Sequence, residues 1–145
     1  MFTGCDLLLP YTNVTKPSSY YYTNLLAKDS GLEKKYKVLI IDMNFYNERL
    51  INNGNIDTVN SFIHSLTNKN FISKPKDLPS KPLFKIIFSF SKDKFVINVY
   101  NENYLSIFPW TGNYEMDYIS MKDIPVSYNL LNLSKYIIPN ERKSN

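Results

Sequence analysis

The sequence predicts an α+β domain: an antiparallel β-meander of four to five strands, with two helices, about 55–68 and 124–138, packed on one face. Three observations lead there. Apolar residues alternate in several short runs separated by polar turns, as in half-buried antiparallel strands. Two other stretches repeat their apolar residues every three or four positions, as a helix with one buried stripe does. Finally, 145 residues that are 43% hydrophobic make one domain with enough apolar side chains for a core.

The first strand is read over Tyr36–Tyr46. Leu39, Ile41, Met43 and Phe45 share one face, while the other turns from Val38 and Ile40 to Asp42 and Asn44. Asn52-Asn53-Gly54 is a turn signal. Asn55 or Asp57 can then cap a helix whose stripe is Ile56, Val59, Phe62, Ile63 and Leu66. Pro75, Pro79 and Pro82 remove donors and restrict their neighbours, so Lys74–Pro82 reads as an exposed basic link. Leu83–Phe90, Lys94–Tyr100 and Tyr104–Phe108 alternate as strands around the turns Ser91-Lys92-Asp93 and Asn101-Glu102-Asn103. Tyr114–Met121 is a fourth such run, with Glu115 and Asp117 pointing away from Met116 and Tyr118. Asp123 and Pro125 suit the start of the last helix. Its stripe runs from Val126 through Leu130, Leu131, Leu133, Ser134, Ile137 and Ile138, and Pro139 stops it.

The expected division is a lipobox-like N-terminus and tether over 1–35, a single domain over 36–139 and a polar tail over 140–145. Inside the tether, Tyr20-Tyr21-Tyr22 is expected to pack back on the domain or to start a short element through Leu25 and Leu26.

Composition excludes several classes. One cysteine excludes a disulfide framework and a Cys-rich zinc site. Four glycines count against a phosphate-cradling loop. His64 has no second histidine beside it and reads as a surface helix residue, so neither metal nor cofactor is expected. The net charge of +4 invites a nucleic-acid reading, but only Arg49 and Arg142 of the 17 basic residues are arginine. The lysines are dispersed, and Asn, Lys, Ile, Tyr and Phe share AT-rich codons. Nucleic acid is therefore disfavoured as a partner.

Cys5 is the most informative residue of the N-terminus. Phe2-Thr3-Gly4-Cys5 is close to a bacterial lipobox, in which small residues precede a cysteine that receives diacylglycerol. Two acyl chains suffice for stable anchoring. No basic and apolar leader precedes these residues, so export requires an upstream signal peptide, without which a cytoplasmic location is expected.

Carboxylate pairs offer acid–base chemistry: Glu115 with Asp117, or Asp42 with Glu48. Solvated surface charge is the ordinary reading of both pairs. Phe108-Pro109-Trp110-Thr111-Gly112-Asn113-Tyr114 gathers three aromatics around a turn with the single tryptophan. Such a corner can stack on a ligand or anchor a protein partner. The ordinary expectation is that Trp110 folds back to plug the end of the sheet. Phe108, Trp110, Asn113, Tyr114 and Tyr118 are the candidate ligand-binding residues.

The strand 36–46, the helix 56–67, the link Lys74-Pro75-Lys76-Asp77-Leu78-Pro79 and the runs 96–102 and 108–118 together resemble a family of small clostridial proteins. Many of these are candidate lipoproteins with a domain of unknown function. The resemblance spans about 36–139 and implies a secreted protein anchored through Cys5. It carries over no catalytic or binding residue. The resulting expectation is a non-enzymatic, lipid-anchored envelope protein that binds a protein or small-molecule partner through its sheet and aromatic corner. A cytosolic basic–aromatic module for single-stranded nucleic acid is the second reading. A small carboxylate-dependent hydrolase is the third.

Overall fold

The structure, a computed structural model, describes residues 16–139. Cys5 and the tail 140–145 lie outside the described residues. The elements are α1 (Tyr21–Leu32), β1 (Lys37–Asp42), β2 (Glu48–Leu50), α2 (Asn53–Ser65), β3 (Phe71–Ile72), β4 (Phe84–Ser89), β5 (Lys94–Val99), β6 (Tyr104–Pro109), β7 (Asp117–Ser120) and α3 (Leu130–Ile137).

The α+β class stands, with a larger inventory than expected. Among the described residues there are three α-helices, not two, and a seven-stranded sheet in the order β2-β1-β4-β5-β6-β7-β3, not four to five strands. Each pairing is antiparallel. The expected meander is β4 to β7, with β1 added beside β4. The two unexpected strands are very short and close opposite edges of the sheet.

Register explains the core. Asp42, Phe84, Val99, Leu105, Ile119 and Phe71 line up across the sheet, and Ile40, Ile86, Ile97, Ile107 and Asp117 form the next row. Both rows face the helices. Leu26 of α1, Val59, Phe62 and Ile63 of α2 and Leu130, Leu131 and Ile137 of α3 bury against that face.

The tether expected over 1–35 is helical from Tyr21 onward. The Tyr20-Tyr21-Tyr22 run both packs back on the domain and leads into an element through Leu25 and Leu26, so the two expected outcomes occur together. Asn52, rather than Asn55 or Asp57, caps α2, its side chain accepting from the Asn55 N–H. The last helix is not continuous from 124. Val126–Tyr128 form a 3-10 turn, and Val126, placed on the buried stripe by its spacing, is 76% exposed. Asn129 then caps α3 by accepting from the N–H groups of Leu131 and Asn132.

The chain straddles the sheet. Between β2 on one edge and β3 on the other it runs through α2 on the core face. The proline-rich segment 73–83 brings it back to β4, and the Tyr104 hydroxyl donates to Asp77 on the way at 3.1 Å. Tyr104, Ser106 and Phe108 belong to the face opposite the helices, so the link covers part of that second face. Near it Asn98, Tyr100, Ser106 and Tyr118 are buried with no helix above them. Over β1, β4 and the neighbouring ends of β5 and β6 the second face stays open.

Candidate functional site

The corner at 109–114 is held by α1. The Tyr22 hydroxyl accepts from the Tyr114 N–H at 2.7 Å and donates to the Tyr114 carbonyl at 3.3 Å. The Tyr21 ring meets the Tyr114 ring edge-on, with centroids 5.5 Å apart. Gly112 is required by this clamp. A Cβ there would lie 2.8 Å from the Tyr22 hydroxyl and 2.9 Å from the Pro109 ring.

Beneath the corner, Asp117 is fully buried, contrary to the solvated carboxylate expected from the pattern. Its Oδ2 accepts from both the N–H and the hydroxyl of Thr23, each at 2.7 Å, and its Oδ1 faces the Lys16 ammonium in an ion pair. Thr23 lies in the first turn of α1, whose own Tyr20 provides no side-chain cap. Asp117 thus supplies a cap from across the fold and meets the positive end of the helix dipole. Lys16 also donates to the Met116 carbonyl at 3.1 Å and sits 5.5 Å above the Tyr22 ring.

Trp110 is 63% exposed and plugs nothing. Its backbone N–H donates to the Lys94 carbonyl at 2.7 Å, and the Lys94 ammonium lies 5.5 Å over its ring. It stands between two concavities. The end groove, of about 560 Å³, lies between α1, the β4–β5 turn and the corner, and includes Asn113 and Tyr114. The face groove, of about 500 Å³, lies on the open sheet face and includes Phe108. Trp110 borders both.

The end groove is polar as well as aromatic. Asp29 of α1 has its carboxyl pushed above the ordinary range, first by burial, then by the charge of Asp93 and a hydrogen bond with it, and by Glu33, with Lys28 opposing. The face groove is apolar on its floor, with Ile41, Met43, Ile87, Val96 and Phe108 beneath Tyr46 and Trp110.

Four of the five candidate binding residues therefore border a groove. Tyr118 does not: it is 7% exposed, and burial pushes its phenol above the ordinary range, with Tyr100 and Glu115 adding to the rise. Glu115 is exposed while Asp117 is committed to Thr23 and Lys16, so the two do not work as a catalytic pair. Asp42 is buried and accepts from the Asn44 N–H, whereas Glu48 lies at the face groove. His64 is exposed, its Nδ1 2.7 Å from the Asn60 carbonyl. Sequence reasoning missed Lys94 and Tyr46 as neighbours of the site. Only the pairing of β5 with β6 and the β1–β2 turn bring them there.

No helix among the described residues is long and apolar enough to cross a membrane. The fold is that of a crystal structure described as "Putative Lipoprotein from Clostridium perfringens", with a TM-score of 0.76 and 33% sequence identity over 85% of this chain and 98% of that one. No curated protein matches the sequence significantly. The family model described as a Domain of unknown function (DUF4883) matches residues 16–134, taking in α1 as well as the segment that carried the resemblance. The chain belongs to this family, and the matched residues include both ends of the clamp from α1 to the corner.

Proposed function

We propose that this is a non-enzymatic envelope protein, lipid-anchored at Cys5, that binds a partner or ligand through its open sheet face and aromatic corner. The observation that carries the binding role is Trp110. A large apolar ring, 63% exposed on a braced loop between two grooves, gains more from covering by a ligand than from its place in the fold. The likeness to a protein described as a lipoprotein, together with the lipobox-like residues before Cys5, supports the anchor. The commitment of Asp117 to α1 supports a binding rather than a hydrolytic role.

Because Trp110 is the single tryptophan, its fluorescence reports the corner directly. Titration with soluble cell-wall fragments is expected to shift or quench its emission. Trp110→Ala is expected to keep the thermal midpoint and lose binding measured by calorimetry. Unchanged emission and no calorimetric heat would reject the binding role at this corner. For the anchor, a palmitate analogue fed to cells expressing the chain behind its native upstream sequence should label the protein, and Cys5→Ser should abolish the label.

Lys94 over Trp110, with Lys85 on the same sheet face, favours the second reading, a module for single-stranded nucleic acid. It predicts that oligothymidylate binds at low salt with affinity falling steeply as salt rises.

A further inference from the structure

We infer that the open sheet face is the surface by which the domain lies on an anionic lipid bilayer. The inference rests on the anchored reading and names the partner of the sheet.

Exposed apolar side chains gather on this side of the molecule. Tyr46 is 67% exposed, Leu50 64% and Trp110 63%, around a floor that includes Ile87 and Phe108. Tyr46 is held there at a cost. Its φ of 57° is the one positive value among the described non-glycine residues, and it directs the ring to the face groove. Tyrosine and tryptophan rings around an apolar floor match the chemistry of the headgroup boundary, where such rings are enriched.

Charge agrees. The register puts Lys37, Lys85 and Lys94 on the open side of the sheet, with Glu48 as the acidic residue of the adjoining edge strand. Each lysine near an anionic surface adds attraction, and its stem can lie along apolar groups while the ammonium stays in water.

Reach agrees as well. From Cys5 to Lys16 the backbone can extend to roughly 40 Å at most. Lys16 is fixed at β7, and the strand spacing puts β1 on the order of 20 Å away across the sheet. An acylated Cys5 therefore leaves enough chain for the open face to meet the bilayer that holds the anchor.

The test uses the full chain with Cys5→Ser, so that it does not depend on acylation. Vesicles of phosphatidylglycerol and phosphatidylcholine are expected to shift Trp110 emission to the blue, and brominated acyl chains to quench it. Tyr46→Glu with Leu50→Glu, both at highly exposed positions, should keep the circular dichroism spectrum and lower vesicle partitioning about tenfold or more. Lys85→Glu with Lys94→Glu should remove the preference for phosphatidylglycerol. No shift at millimolar lipid, or partitioning unaffected by either double variant, overturns the inference. A chain that sediments as a dimer broken by Tyr46→Glu and Leu50→Glu also overturns it, assigning the face to a second copy. Failure of the anchor is read separately, as absence of acyl label on Cys5 in cells.

Discussion

Without the Lys16 ammonium, the buried Asp117 carboxylate would have only Thr23 to answer it. Lys16→Met is therefore expected to cost about 2–3 kcal/mol, somewhat below the roughly 3–5 kcal/mol for stranding one member of a fully buried pair, because the lysine itself is 15% exposed. A urea denaturation curve measures it; an unchanged midpoint would mean that water fully replaces the ammonium. Asp29 carries the opposite sign. Its folded pKa lies above the ordinary 3.8, so the folded chain holds its proton longer than the unfolded one. Stability from this group is gained as pH falls through the window above 3.8, and the penalty is complete at neutral pH. Asp29→Asn is expected to raise stability at pH 7 by at most about 0.5 kcal/mol, since the groove is open to solvent. Thermal midpoints should also vary less with pH over that window; an equal slope in both proteins would contradict this.

Capping decides where α3 begins. Asn129 ends the 3-10 turn, accepts from two N–H groups of the helix and donates to the Glu102 carbonyl of the β5–β6 turn at 3.1 Å. Asn129→Ala is expected to cost about 1 kcal/mol by chemical denaturation, more than alanine at the exposed Asn132. The split was not legible, because spacing alone joins Val126 to Leu130. Other elements were legible in proportion to how far burial, rather than polar contact, makes them. β4 to β6 each bury alternate residues against helices, so alternation in the sequence located them within about a residue or two. β2 is three residues, all exposed, and β3 is two, too short to show a period. α1 buries Tyr22, Thr23 and Leu26, and Thr23 is there for its hydrogen bonds to a residue 94 positions away. Polar partners at that separation leave no trace in hydrophobic pattern. The corner was visible as a cluster of aromatics, whereas the clamp that braces it comes from Tyr22, 92 positions earlier, and left no mark in the sequence pattern.

At the scale of the molecule, α1 is part of the domain rather than a lead into it. A chain beginning at Tyr36 would uncover the site of Tyr22 and Leu26, now 3% and 0% exposed, and leave Asp117 without its cap partners. It is expected to show no cooperative thermal transition, where a chain beginning at Lys16 unfolds in one step. A sharp transition in the shorter chain would return α1 to the status of a tether. The attachment of α1 also governs order in time. Thr23 and Tyr22 are tied to residues 94 and 92 positions later, so the first helix cannot dock until the last strand has been made. During synthesis Tyr22 and Thr23 have no partner to lock onto until Tyr114 and Asp117 have been made. The fold of this domain is therefore closed from its two ends, and it stays incomplete until nearly the whole length of the chain is available.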